Sequence, residues 1–362
     1  MRAQGPKAGG RPVEVVIACH SPQRRLGRAV ASVLEGNDDF ASVTVVAHNI
    51  DSSVLEQTIQ PRLRPHVKWL ELDDGTRSPA NPYNLGTAQA GAKWVSLLGS
   101  DDYFEPGAVA SWLAWSRGAD AVICKSQHDD GRPVRTPPIR PFPYRFRDPV
   151  KDRLYYRSAP LGLMRRSFLE RARLSWDPDL PSGGDLRLST ALWSRGNIAV
   201  QTRGPGYVVG SDAHDRVTMA LAPLDVELQH VSLAWGDGGW AWELTPSQRS
   251  ALATKYIRIL FFGAAYNRAV AGRWNRSDRE VLAGAVRLVL AAAPKSILPL
   301  SIADSRLLRS LLDLSVPVEE VDRLAFARRR FWLPTALLPG RISQVLNREA
   351  PLRFTAASAL RG

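Results

Sequence analysis

The apolar positions of the chain fall into two regimes. From Val13 to Val209, short β-branched runs alternate with stretches of helical spacing, and beyond Ala220 only the helical spacing remains. Val13–His20, Val43–Ala47, Val67–Leu72 and Val95–Leu98 have the length and composition of buried strands. Helical patterns lie between them: one carried by Leu26, Val30, Val33 and Leu34, a short one over Val54–Ile59 stopped by Pro61, and one over Asn84–Ala92. This alternation predicts a parallel, doubly wound α/β sheet. A helix over Ala108–Ser116, strands over Ala121–Lys125 and Leu161–Met164, a helix over Leu186–Trp193 and short strands at Ile198–Val200 and Tyr207–Val209 complete this half. Helical patterns then recur near 223–235, 246–271, 277–293, 302–314 and 318–332. The expected organisation is a basic, Gly-rich disordered tail over 1–11, an α/β domain over 12–219 and a helical domain over 220–362.

One segment fits neither regime. Residues 131–153 hold six prolines and seven basic residues, which rules out a single regular element. Its length suits a functional loop, the alternative being a solvated insertion.

Charge and cysteines narrow the picture. Lys and Arg number 48 against 35 acidic residues, a net charge of +13 that favours anionic partners. Nucleic acid is disfavoured, because the basic residues are dispersed and no helix-turn-helix, zinc-finger or RNP-type signature is present. Cys19 and Cys124 lie in apolar runs without disulfide or zinc spacing, so they read as inert core residues of a protein in a reducing compartment. The N-terminus lacks the apolar stretch of a signal peptide, and no run approaches the roughly 20 residues of a membrane span. The expected location is cytoplasmic.

Open α/β sheets bind ligands beyond the C-terminal ends of their strands. There the sequence delivers Asp51, Asp74 and the pair Asp101-Asp102, the last after Gly99-Ser100. Hard carboxylate oxygens suit a divalent cation and the phosphates it carries. Helix caps and Asx turns use the same residue types.

Four landmarks in order carry a family resemblance. They are the opening Val16-Ile-Ala-Cys-His-Ser-Pro with its helix, Asp51 after the second strand, Asn84-Leu-Gly86 followed by the strand into Ser100-Asp101-Asp102, and Gly184-Asp185 ahead of a helix. Together they resemble a family 2 glycosyltransferase of GT-A fold, possessing a doubly wound, Rossmann-like mixed sheet, here followed by an α-helical C-terminal region. The resemblance implies a nucleotide-sugar site made by Ala18, His20, Asp51, Arg77, Asn84, Ser100, Asp101 and Asp102, with Asp51 favouring UDP. It implies Mn²⁺ or Mg²⁺ held by Asp101 and His214, and Asp185 as the base that takes the acceptor's proton. Gly99 stands where the family's DXD motif has its first Asp, Gly184 where a Glu precedes the base, and Tyr83 where an Arg precedes Asn84.

The expected function is inverting transfer of a sugar from a UDP-sugar to a hydroxyl of an anionic cell-envelope glycan or polymer, teichoic-acid-like or polyprenyl-phosphate-linked. Arg140, Arg145 and Arg147 of the Pro-rich segment are the expected acceptor contacts. Leu260-Phe-Phe262 and Phe331-Trp-Leu333, the latter beside Arg328-Arg-Arg330, have the pattern of an interfacial helix and point to the inner face of a membrane, with core packing as the alternative. The rival readings are a catalytically degenerate GT-A-fold module that holds an anionic glycan, favoured by Gly99 and Gly184, and a nucleic-acid-binding protein, favoured by charge alone.

Overall fold

Four parallel strands form the centre: β1 (Val13–Cys19), β2 (Ala41–His48), β3 (Val67–Leu72) and β4 (Trp94–Gly99). The computed structural model describes residues 10–178, 180–211, 222–274 and 276–360. The tail expected at 1–11 falls outside these but for its last two residues, as do His214 and the boundary expected at 219. The four strands stand in the order β3-β2-β1-β4, with β1 in register against β2 (Val13 opposite Ala41) and β4 (Val13 opposite Trp94).

Helices on both faces explain the unbroken apolar runs. Val13, Val15 and Ile17 face α1 (Leu26–Leu34), whereas Val16 belongs to the core on the other side. The short α2 (Ser52–Glu56) follows β2, and α3 (Ala80–Ala88) lies against β1 and β2. A Cβ at Gly86 would stand 2.3 Å from Val16 Cγ1, so the helix approaches this closely only with glycine there. α3 begins four residues before the expected start at Asn84, because Pro82 sits in its first turn, where a missing N–H costs nothing.

Beyond β4 come β5 (Tyr103–Phe104), α4 (Ala108–Trp115), β6 (Ala121–Ile123), β7 (Ser126–His128), β8 (Gly162–Arg165), α5 (Arg166–Arg171), α6 (Leu186–Arg195), β9 (Ile198–Val200) and β10 (Tyr207–Val209). The main sheet continues β4-β8-β6-β9, and β8 runs antiparallel to both neighbours. The sheet is therefore mixed, as the family resemblance implies and the strand-helix alternation alone does not, since the segment between β7 and β8 returns the chain to the opposite end. A second sheet, β5-β10-β7, stands beside the end of β4.

That returning segment is the Pro-rich one; its tip over 141–145 is exposed, and its base is pinned to the core. Asp152 is fully buried and accepts from Arg140 Nε (2.9 Å), Arg140 Nη2 (2.7 Å) and the N–H groups of Arg140 (3.0 Å) and Asp148 (2.9 Å).

The rest is helical: α7 (Leu224–Glu227), α8 (Gln229–Trp235), α9 (Pro246–Lys255), a π-helical turn over Tyr256–Phe261 leading into α10 (Phe262–Ala271), α11 (Arg276–Ala292), α12 (Ile302–Leu312), α13 (Val318–Ala327), α14 (Pro334–Leu337) and α15 (Pro351–Ala359). One apolar core joins these helices to the sheet, running from Leu97 and Leu188 through Trp235, Tyr256 and Phe262 to Leu307. Phe261 and Phe262 are fully buried, so the interfacial role expected for that stretch gives way to core packing. Phe331 and Trp332 remain 56% and 76% exposed. Among the described residues, no helix is long and apolar enough to cross a membrane.

Candidate active site

The C-terminal ends of the central strands bring most of the expected residues to one edge. Ala18 and the exposed His20 close β1, and Ser100, Asp101 and Asp102 close β4 beside it. Asp51 follows β2 and Arg77 follows β3, both exposed. Asp51 caps α2, its Oδ1 accepting from the Ser53 N–H at 2.7 Å. Hydrogen bonds from the Ser53 hydroxyl and N–H hold its carboxyl below the usual range.

Arg77 rides on a loop fixed by Asp74, which takes hydrogen bonds from His48 (2.9 Å), Asn81 (2.6 Å) and the Thr76 N–H (2.9 Å). Burial opposes ionisation of Asp74, but these bonds outweigh it and hold the carboxyl well below its usual range.

The two β4 carboxylates have different tasks. Asp102 is tied to the second sheet: Oδ2 accepts from the Tyr207 hydroxyl (2.5 Å) and Oδ1 from the Gly210 N–H (2.9 Å). The same Tyr207 oxygen accepts from the Gly99 N–H at 3.0 Å. Asp101 faces Arg24, whose Nη1 lies 3.4 Å from Oδ1, and Arg28 donates to the Asp101 carbonyl. Tyr83 fills the space beside them, its hydroxyl pushed up by burial and by the charges of Asp102 and Asp101.

Asn84 does something the sequence did not show. Its Nδ2 donates to the Trp176 carbonyl and its Oδ1 accepts from the Trp176 N–H, both at 2.9 Å. Both polar atoms of Asn84 are thus engaged by the Trp176 backbone. The bonds fix the segment leading to Asp185, helped by Ser78 Oγ on the Leu180 carbonyl (2.9 Å) and the Asp177 N–H on the Gly184 carbonyl (2.9 Å).

At the end of that segment Asp185 occupies the N-cap position of α6, yet its side chain makes no capping bond. The carboxylate is partly buried. Burial pushes its pKa up, against the opposing pull of Lys255. Lys255, at the end of α9, is itself buried and lowered to about 8, with Asp185 as the charge that favours its ammonium. His230 of α8 supports the turn from below: Gly183 has φ +78°, and a Cβ there would meet His230 Cδ2 at 2.2 Å. Burial and then Lys255 lower His230 to about 4, so it is neutral near pH 7. The helical half therefore forms the back wall of the Asp185 site.

The acceptor residues expected in the Pro-rich segment are engaged within the fold. Arg140 is spent on Asp152. The buried Arg147 donates to the carbonyls of Arg140 (3.1 Å) and Phe142 (3.0 Å), and Arg145 donates to the Arg117 carbonyl (2.8 Å). These bonds satisfy the buried Asp152 carboxylate and hold the loop's shape, while Arg145 stays exposed at its surface. Arg24, Arg28, Lys255 and His230 were missed. The pair of arginines after Ser21-Pro22, and a lysine set among Ala251, Leu252, Ala253, Tyr256 and Ile257, were the available signals.

No protein-family model matches the chain. The succinoglycan biosynthesis protein ExoO of Rhizobium meliloti is 26% identical over 215 residues, which cover 54% of this chain and 60% of that protein. The chain thus spans less than two thirds of that relative. Residues 1–349 of S. aureus TarS, solved in complex with UDP-GlcNAc, share 15% identity at a TM-score of 0.71, covering 88% of this chain and 92% of that one. A second structure of the same TarS fragment gives 16% identity and a TM-score of 0.67, over 88% and 91%. Likeness at this level of identity establishes architecture, and the chain has the GT-A-like fold of TarS.

Proposed function

We propose that this protein is an inverting glycosyltransferase that moves a sugar from a UDP-sugar to a hydroxyl of an anionic cell-envelope polymer. The observation that carries the reading is Asp185, a carboxylate on a braced turn that stands at a cap position without capping. Its raised pKa brings it nearer the range useful to a general base. The fold it sits in is one that, in TarS, was solved with UDP-GlcNAc bound.

In this reading the donor lies across the ends of β1 and β4, and the acceptor approaches Asp185 from the side of α6. Asp185 takes the acceptor proton as the oxygen attacks the anomeric carbon. A polymer acceptor is supported by the name of the sequence relative, a succinoglycan biosynthesis protein. An anionic polymer is supported by the net charge of +13, and a cavity of about 620 Å³ is lined by Lys295, Arg348 and Arg353 together with Glu349. The exposed Phe331 and Trp332 beside Arg328-Arg-Arg330 support docking at an anionic membrane surface.

The test is a panel of UDP-, GDP-, CDP- and TDP-sugars with a teichoic-acid-like acceptor, followed by nucleotide release and by the anomeric configuration of the product. Inverted product from a UDP-sugar is expected. Retention of configuration contradicts the assignment of Asp185. Binding of an anionic glycan with no turnover of any donor points instead to the degenerate module, which the commitment of Asp102 to Tyr207 and Gly210 favours.

A further inference from the structure

The family resemblance implies a divalent cation at Asp101, but the described residues around Asp101 do not fit one. Gly99 has no side-chain oxygen, and both oxygens of Asp102 are taken up by the second sheet. The Asp101 carboxylate already faces a cation, since Arg24 Nη1 lies 3.4 Å from Oδ1 with the two side chains only 11% and 12% exposed. Among the described residues, no three His, Cys, Asp or Glu side chains converge to hold a metal. His214 lies outside those residues.

Arg24 lies between β1 and α1, above the end of β4, where an open sheet of this kind receives a ligand's phosphates. Arg28 is in the first turn of the same helix, donating to the Asp101 carbonyl and lying 4.9 Å from the centre of the Tyr103 ring. A guanidinium is charged at every working pH, is less strongly hydrated than an ammonium, and presents a planar fork that matches phosphate oxygens.

Resting on the nucleotide-sugar reading above, we infer that Arg24, oriented by Asp101, binds the donor's diphosphate in place of a metal ion. The acceptor oxygen forms its bond to the anomeric carbon, and the bond from that carbon to the β-phosphate oxygen breaks. The electron pair stays on the departing nucleoside diphosphate, and the acceptor proton passes to Asp185. Arg24 meets the charge that develops on the diphosphate, and Asp101 is its positioning residue.

The experiment is calorimetric titration of UDP into the full chain, in EDTA and in Mn²⁺, for wild type, Arg24→Ala, Arg24→Lys and Asp101→Asn. Thermal melts check that each variant folds. Wild-type affinity in EDTA should stay within about twofold of that in Mn²⁺. Arg24→Ala should weaken metal-free binding by roughly tenfold or more, and Arg24→Lys by less. Asp101→Asn, which only loosens Arg24, should weaken it a few-fold, and this variant decides the matter if Arg24→Ala does not fold. Binding that vanishes in EDTA and returns equally with Mn²⁺ in wild type and Arg24→Ala overturns the inference and gives Asp101 to a metal. A wild type that binds no UDP in either condition defeats the nucleotide-sugar reading itself, and the inference with it.

Discussion

Asn84 and Trp176 are joined by two hydrogen bonds of 2.9 Å, side chain to backbone, across 92 residues of sequence. The bond pair links α3, which packs on β1 and β2, to the segment that presents Asp185. Asn84, expected at the donor, is in the folded chain bonded to the backbone of the segment before Asp185.

Asn84→Ala removes both bonds and leaves the backbone groups of a buried tryptophan without partners. A loss of about 2 kcal/mol in stability is expected, read as a drop of a few degrees in melting temperature. Turnover should fall while UDP affinity, measured by titration, holds. A selective loss of UDP affinity would return Asn84 to the donor site.

Burial raises the Asp185 pKa and Lys255 opposes that rise. Its positive charge favours the carboxylate, so removing it raises the Asp185 pKa, and a base with a higher pKa loses its active form at higher pH. On the reading of Asp185 as the base, Lys255→Met should therefore move the acid limb of kcat/KM to higher pH. An unmoved limb would mean that the limb belongs to another group.

The Pro-rich segment is held by a buried carboxylate, and breaking such a pair on one side leaves uncompensated charge. Asp152→Asn should cost about 3 kcal/mol, seen in denaturant unfolding, because Arg140 and Arg147 both lose their anion. The exposed Arg135→Ala should leave stability unchanged. If Asp152→Asn is as stable as wild type and only acceptor affinity changes, the segment is an acceptor site after all.

Phe331 and Trp332 are exposed beside the exposed Arg329 and Arg330, while Arg328 is bonded to Asp304. Sedimentation with vesicles containing phosphatidylglycerol should carry the protein down, and Phe331→Ala with Trp332→Ala should reduce the bound fraction several-fold at low salt. Equal binding to neutral vesicles, or no binding at all, would contradict the membrane reading.

The central strands were legible because a strand covered on both faces must be apolar along its length, as Val13–Cys19 and Trp94–Gly99 are. The carboxylates at their ends were legible for the same reason, since charge is unexpected after such runs. The antiparallel β8 was not, because strand direction depends on the path of a connection and not on the strand's composition. Nor was the fate of Arg140 and Arg147, which follows from Asp152 folding back beneath them. Asp51 and Asp185 looked alike as residues before a helix, and only the structure shows that one caps and the other does not. Lys255 lies 70 residues beyond Asp185, and their proximity exists only in the folded chain.

The most direct test is Asp185→Asn, with turnover and donor affinity measured on the same preparation. The account predicts that turnover of the UDP-sugar falls by about 10²-fold or more while its binding is retained, since the amide keeps the shape of the turn but cannot accept the proton. Turnover within a few-fold of wild type would contradict the claim that Asp185 is the base.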